Sequence, residues 1–310
     1  MNPSQLKNNL IVVLGPTTTG KTRFAAELAV KINGEIISAD SRQIYRKMDL
    51  GTGKDYDDYR VEDQVVPYHL IDIHEPGYKY NVFEYQQDFL KTYTDITERS
   101  KIPILCGGSG MYIDAITKGY QLIAVPINHK LREELQHKTL KELEKILSSF
   151  KQLHNKTDTD TVKRAIRAIE IETYYANHPQ KNQDYPKLNP IFLGLYCSRD
   201  IRRKRITDRL HARLQNGMIE EVKQLLEAGL KPEDLVYYGL EYKYITHYLT
   251  SKMDYDTMFH KLNIAIHQFA KRQMTWFRKM EREGIKIMWI DSEFTMEEKI
   301  DIALYILHKK

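Results

Sequence analysis

Gly15-Pro-Thr-Thr-Thr-Gly20-Lys21-Thr22 follows an apolar run, Leu10 to Leu14, and opens a helix-period stretch; its spacing fits G-x-x-x-x-G-K-[ST]. In that setting successive backbone N–H groups form a nest around phosphate oxygens, the glycines let the backbone approach, Lys21 neutralises charge and Thr22 can hold Mg2+. The expected pyrophosphate-binding set is therefore Gly15, Pro16, Thr17, Thr18, Thr19, Gly20, Lys21 and Thr22, with Thr22 as the metal ligand. The reaction must be named by other residues, because kinases, ATPases, GTPases and some transferases share such a loop.

Asp40 is the next candidate. It ends the run Glu35 to Ala39 in Ser38-Ala-Asp-Ser-Arg-Gln-Ile-Tyr45, at the carboxyl end of an expected strand, where a carboxylate can bind Mg2+ or accept a proton from a nucleophile. The alternative is an N-cap for a following helix, from Asp40 or Ser41. Asp72 ends Tyr68-His-Leu-Ile-Asp and has the place of a metal-holding acid of ATPases, the main support for a kinase or ATPase. Asn155-Lys-Thr-Asp158 resembles a guanine-reading sequence, but no apolar strand precedes it, and the match reads as chance. Cys106-Gly-Gly-Ser-Gly110 ends another apolar run; it is either a tight strand-to-helix turn or a place where backbone and the Ser109 hydroxyl approach a ligand.

Positive charge is gathered rather than spread. Arg199, Arg202, Arg203, Lys204, Arg205, Arg209 and Arg213 are opposed between 199 and 213 only by Asp200 and Asp208, Lys271, Arg272, Arg278 and Lys279 share a second helical stretch, and Lys163, Arg164 and Arg167 form a third group. A single such run is usually a solvated helix face. Three of them, interleaved with Tyr174, Tyr175, Tyr237, Tyr238, Tyr242 and Trp276, favour a polyanion, and RNA suits the aromatics.

The elements that must position these residues are legible as a pattern. Apolar runs at Leu10–Leu14, Glu35–Ala39, His69–Ile73, Ile102–Cys106, Ile191–Tyr196 and Ile285–Ile290 read as strands, and the first of them alternate with helical stretches at Thr22–Ile32, Arg42–Lys47 and Phe83–Arg99, followed by Met111–Thr117. Such alternation predicts an α/β fold with a P-loop-type three-layer core, a mostly parallel sheet and ligands at the strands' carboxyl ends. From Tyr120 to about Leu188 the strand signal disappears; Leu131–Phe150 and Asp160–Tyr175 read as helices, and the polar stretch His178–Pro190 as a connecting loop. The expected organisation is a core over 1–119 and 190–310 with an all-helical insertion at 120–189. Long helices follow at Asp200–Ala228, Tyr237–Leu249 and Tyr255–Glu283, then a last strand and a helix through Ile306.

Composition sets the outer limits. The 310 residues are 42% hydrophobic and 29% charged, which excludes a disordered chain, and Lys+Arg 47 against Asp+Glu 42 leaves only +5 to hint at an anionic partner. Two cysteines, Cys106 and Cys197, cannot build a disulfide framework or a zinc finger and read as buried thiols of a reducing, cytoplasmic compartment. No apolar stretch approaches the ~18 residues of a membrane span, so no membrane partner is expected. Tyrosine is in excess, 21 against 9 Phe and 2 Trp, which suits base stacking and equally suits half-buried surface.

Taken together these residues resemble the tRNA dimethylallyltransferase family. The resemblance covers nearly the whole chain and rests on the loop Gly15–Thr22, Ser38-Ala-Asp-Ser-Arg-Gln-Ile-Tyr, Met48-Asp-Leu-Gly-Thr-Gly-Lys54, His69-Leu-Ile-Asp-Ile, Gly107-Gly-Ser-Gly-Met-Tyr112, Arg164-Ala-Ile-Arg-Ala-Ile-Glu170, Arg205 to Arg209 with Gly217 and Val222, and Phe269-Ala-Lys-Arg-Gln-Met-Thr-Trp-Phe-Arg278. It implies transfer of a dimethylallyl group from dimethylallyl pyrophosphate to N6 of the adenine 3′ of a tRNA anticodon, with release of pyrophosphate. Asp40, Ser109, Arg209 and Arg132 are then the expected catalytic residues and Mg2+ the cofactor. Asp40, Ser41, Arg42, Gln43, Lys163, Arg164, Arg167, Val236, Gly239, Glu241, Lys271, Arg272 and Gln273 are the expected contacts to the anticodon stem-loop, and a monomer is the family default.

The chain also departs from the family pattern. Ser109 stands where Thr is usual, Asp55 replaces a usual Pro after Lys54, Gly239-Leu-Glu-Tyr replaces a Gly-Tyr-Arg or Gly-Tyr-Lys pattern, and His267 stands where Arg is common. A free-adenylate prenyltransferase shares the loop and the acidic base, but a mononucleotide needs neither the insertion nor a third basic group. A small-molecule kinase or ATPase rests on Asp72 and the loop alone. An RNA-binding protein with a dead loop is at odds with intact Lys21, Thr22, Asp40 and Arg209.

Overall fold

The structure, a computed structural model, describes residues 8–150, 159–178 and 185–309. In chain order its strands are β1 (Leu10–Leu14), β2 (Gly34–Ser38), β3 (Arg60–Val61), β4 (Gln64–Val65), β5 (Tyr68–His69), β6 (Ile102–Gly107), β7 (Pro190–Tyr196) and β8 (Ile287–Asp291). Its helices are α1 (Lys21–Ile32), α2 (Val82–Glu98), α3 (Gly110–Thr117), α4 (His129–Leu135), α5 (Leu140–Ser148), α6 (Val162–Asn177), α7 (Arg199–Gln215), α8 (Met218–Glu227), α9 (Pro232–Tyr237), α10 (Leu240–Leu249), α11 (Tyr255–Arg282) and α12 (Met296–Lys309). Chain contacts divide into a core unit, Met1–Gly119 with Lys187–Lys310, and a helical unit, Tyr120–Pro186.

Strand residues of β1 alternate between two cores, which is what makes three layers. Leu10, Val12 and Leu14 face the apolar sides of α2, α3 and the helices after β7, while Ile11 and Val13 face α1 and α12. The strands run in the order β5-β2-β6-β1-β7-β8, every adjacent pair parallel, so the buried β1 is flanked by β6 and β7. Loops leaving β1, β2 and β6 therefore meet at one edge.

The helical unit has its own small core, Leu135, Leu143, Leu147, Ala165, Ile166, Ala168 and Ile169. Beneath it Glu170, 1% exposed, receives Arg132 at 2.8 Å, Arg167 and the Asn128 backbone N–H at 2.7 Å. Burial alone would raise this carboxyl; hydrogen bonds from Arg132, Asn128 and Arg167 outweigh it and bring it to about 2.

Several sequence expectations are corrected. His69–Ile73 is not a strand beyond His69, and Arg42–Lys47 is not a helix. The two segments instead bond each other: Asp72 N–H to Gln43 O (3.1 Å), Ile73 N–H to Ile44 O (2.9 Å) and Arg46 N–H to His74 O (2.9 Å), with left-handed Leu70 and Asp72 turning the chain off the sheet. Leu131–Phe150 is two helices, because the Thr139 hydroxyl and Glu142 form a capping box that starts α5 afresh. Asp200–Ala228 breaks at Gly217 (φ +97°) and Tyr237–Leu249 at Gly239 (φ +145°), and the latter run is preceded by α9. Asn155–Asp158 and residues 179–184 of the expected connecting loop lie outside the described residues.

Part of the tyrosine excess is structural. Tyr45, Tyr85, Tyr238 and Tyr242 are fully buried, with the Tyr85 hydroxyl donating to Ser38 O (3.1 Å) and that of Tyr242 to Glu221 (2.7 Å).

Candidate active site

The loop after β1 holds Thr18 (φ +68°) and Gly20 (φ +73°) in left-handed conformations, turning the backbone into α1. Gly20 is the N-cap of α1 and no side chain caps that end, so its first-turn amides are open to an anion. The Thr18 hydroxyl is buried without a partner among the described residues. Lys21 makes no ion pair among them; burial lowers its pKa below the ordinary lysine value, with Cys106 and Asp40 opposing. A desolvated, unpaired ammonium beside open amides is built to receive negative charge.

The loop is held from across the molecule. Gln273, 7% exposed in α11, accepts from the Thr17 backbone N–H (2.9 Å) and donates to Gly108 O (3.1 Å). Gly108 leaves no room for a side chain: a Cβ there would lie 2.2 Å from Gln273 Nε2. Arg209 of α7 donates to the Thr17 hydroxyl at 3.3 Å.

Asp40 and Ser109 meet at the same edge. Asp40 Oδ1 accepts from the Arg42 backbone N–H (2.9 Å) in a local turn, and no helix follows, so Asp40 is not a helix N-cap. Ser109 is the N-cap of α3 yet caps nothing; its hydroxyl accepts from the Ser41 N–H at 3.3 Å. Beside them opens a cavity of about 550 Å3, lined by Arg42, Tyr80, Ser109, Met111, Tyr112, Tyr237, Phe269, Gln273 and Trp276. Arg42 stacks over the Tyr237 ring at 4.9 Å. Gly108 and Gln273 line this cavity and also hold the loop, so an anion cradle and an aromatic chamber share one wall.

The chain matches the family model described as IPP transferase over residues 43–280, and the isopentenyl transferase model over residues 8–64. It belongs to the IPP transferase family. Among its relatives, tRNA dimethylallyltransferase 2 of Bacteroides fragilis is 60% identical over 95% of this chain and 96% of the relative, and tRNA dimethylallyltransferase 1 of Parabacteroides distasonis is 58% identical over 97% and 98%. The crystal structure of the tRNA isopentenylpyrophosphate transferase of Bacillus halodurans superposes with TM-score 0.70 at 30% identity, covering 97% of this chain and 96% of that one. A eukaryotic dimethylallyltransferase acting on tRNA shares the fold at TM-score 0.78 and 22% identity, covering 98% of this chain and 80% of that one.

In this IPP transferase, Asp40, Ser109 and Arg209 lie in the core unit and Arg132 in the helical one, where Glu170 takes both its Nε (2.9 Å) and Nη2 (2.8 Å). Arg167 shares Glu170 and donates to Val125 O, and Arg164 pairs with Asp160, so of that basic group Lys163 alone is exposed without an ion pair among the described residues. The same freedom holds for Arg199, Arg203, Lys204, Lys271 and Arg278 on α7 and α11 and their approaches. Gln43 and Gln273, expected on the RNA, have amides engaged inside the protein: Gln43 donates to Gly53 O at 3.1 Å and accepts from Ser38. Val236 and Gly239 bracket the exposed Tyr237, and Glu241 is half-buried at the start of α10, its carboxyl raised by burial.

Asp72 is not a metal-holding acid. Its carboxylate pairs with the buried Lys54 and accepts from Tyr56 Oη at 2.5 Å, pinning the 49–56 segment, which removes the main support for a kinase or ATPase. Sequence reasoning missed the residues that shape this segment and the chamber. Glu221 receives the N–H groups of Asp49 (2.8 Å), Leu50 (2.7 Å) and Gly51 (3.0 Å), Asp55 pairs with Arg209 and Arg213, and Tyr80 and Tyr112 line the cavity. Tyr112 carried a signal through its place in Gly107–Tyr112 and Asp55 as a departure after Lys54, but neither pointed to these contacts.

Proposed function

We propose that this IPP transferase moves a dimethylallyl group from dimethylallyl pyrophosphate to N6 of the adenine 3′ of a tRNA anticodon, releasing pyrophosphate. The observation that carries the reading is the wall shared by the anion loop and the aromatic chamber, because a prenyl diphosphate has one charged end and one apolar end.

The amine is a weak nucleophile, its lone pair delocalised into the ring. Asp40 hydrogen-bonds it and takes its proton as the new C–N bond forms. The allylic carbon bears positive charge as the C–O bond breaks, so the barrier falls where leaving-group charge is stabilised. Loop N–H groups, Lys21, Arg209 and the Ser109 hydroxyl are donors fixed in place before that charge develops. Adenine enters the chamber extruded from its loop, against Tyr237, Arg42 and Trp276.

Mg2+ fits the donor set. The Thr22 hydroxyl makes no hydrogen bond among the described residues, and Asp40 and Asp58 both act electrostatically on Lys21 beside it. A metal relying on phosphate oxygens and water for most of its ligands suits Mg2+, which would supply further charge neutralisation to the leaving group.

Exposed Lys163 on α6 and the unpaired cations of α7 and α11 are the expected phosphate contacts of the tRNA. The compartment we propose is the cytoplasm: both cysteines are buried and free, and no helix among the described residues is long and apolar enough to cross a membrane. The deciding experiment supplies Mg2+, labelled dimethylallyl pyrophosphate and either unmodified tRNA with adenine 3′ of the anticodon or AMP. Label on the tRNA supports the reading; label on AMP alone overturns it in favour of a free-adenylate prenyltransferase.

A further inference from the structure

The anion cradle is not electrostatically open on all sides. Arg209, which reaches the loop at Thr17, also pairs with Asp55 at 2.5 Å, and the same carboxylate receives Arg213 at 3.2 Å. The two guanidiniums are 31% and 13% exposed, whereas Asp55 is 46% exposed. The arginines are thus fixed in the wall, and the carboxylate is the partner nearest to water.

Asp55 is carried on a segment that cannot easily withdraw. Glu221 holds the N–H groups of residues 49–51, buried Lys54 ties Asp49 to Asp72, and Gly53 lies so close to the arginines that a Cβ there would meet Arg213 Nη2 at 2.7 Å and Arg209 Nη2 at 3.1 Å. The carboxylate is therefore anchored within reach of the guanidinium pair. Asp55 stays ionised there: burial pushes it up, but Arg209 and Arg213 more than offset this and keep it below the ordinary carboxylate range.

A guanidinium has a limited set of donors, and a carboxylate takes them in the geometry that a phosphate would use. We propose that Asp55 is a built-in competitor of the diphosphate group for Arg209, which weakens the hold on the substrate and speeds departure of the pyrophosphate product. The inference rests on the reading that the Gly15–Thr22 loop receives a diphosphate. The diphosphate and Asp55 thus draw on the same Arg209 donors, and the product leaves against a partner already in place.

Calorimetric titration with sodium pyrophosphate, with and without Mg2+, tests this on the wild-type chain and on Asp55→Asn and Asp55→Ser, both at an exposed position. Removing the charge is expected to tighten pyrophosphate binding about threefold to tenfold, with product inhibition of prenyl transfer strengthened by the same factor and the gain shrinking as salt is raised. Arg209→Ala is expected to abolish most of the gain. Unchanged or weaker binding in both Asp55 variants, while the wild type binds pyrophosphate, overturns the competitor role alone and makes Asp55 an orienting or metal-holding group. No binding by the wild type overturns the diphosphate reading of the loop, and the competitor with it.

Discussion

Gln273 and Thr17 are joined by a 2.9 Å hydrogen bond across 256 residues of sequence, from the long helix α11 to the glycine-rich turn after β1. The same amide returns a bond to Gly108 O, so the loop after β1 and the loop after β6 are fastened together through α11. The shape of the anion cradle depends on a residue that touches it from outside the loop.

Replacing Gln273 by Leu keeps the volume and leaves the Thr17 N–H and Gly108 carbonyl without their buried partner, at a cost of about 1–3 kcal/mol. We expect the melting temperature to fall by a few degrees and the pyrophosphate Kd to rise roughly tenfold, the energy being lost where the loop is shaped. Calorimetry with pyrophosphate beside a thermal melt checks both. An unchanged Kd with a lowered melting temperature would show that the loop keeps its shape unaided.

Asp40→Asn retains the size and the turn with Arg42 but no longer accepts the amine proton. Prenyl transfer is expected to drop by about 10²–10⁴ in kcat, while tRNA retention in a gel-shift assay and pyrophosphate binding stay as in the wild type. Turnover at the wild-type rate would remove Asp40 as the base and leave the leaving-group donors as the sole source of rate.

Glu170 makes the helical unit acid-sensitive. Its folded carboxyl titrates at about 2 against an ordinary 4.5, so its stabilising contribution is complete above pH 4.5 and is lost as pH falls from there toward 2. Roughly 3 kcal/mol is at stake on this shift. Protection of the α4 and α6 amides, taken relative to intrinsic exchange at each pH, should fall over that window, and Glu170→Gln should be less protected at neutral pH with the acid dependence flattened. The same slope in the variant would place the acid-sensitive group elsewhere.

Much of the site was legible because its parts are local. The glycine-rich turn Gly15–Thr22 is a run of eight neighbours whose backbone must turn, and β1, β2 and β6 announce themselves as short apolar runs ended by Gly or Asp. Asp40 and Ser109 could be placed at one edge because parallel strands deliver their following loops there. Residues 42–47 and 69–73 were misread for the opposite reason. Their backbone bonds go to each other, and neither segment shows that preference in its own periodicity.

By itself the sequence determined the glycine-rich turn after β1, the α/β class, the interruption by a helical unit and the family resemblance, since each is written in residues close together along the chain. Only the tertiary structure decided which polar side chains remain free. Gln273 is committed to Thr17 and Gly108, Gln43 to Gly53, Asp72 to Lys54, Arg132 to Glu170 and Asp55 to Arg209 and Arg213, whereas Lys21 keeps no ion-pair partner among the described residues. The physical reason is that a side chain's chemistry depends on what burial and neighbouring charge leave unsatisfied, and those neighbours come from distant parts of the chain.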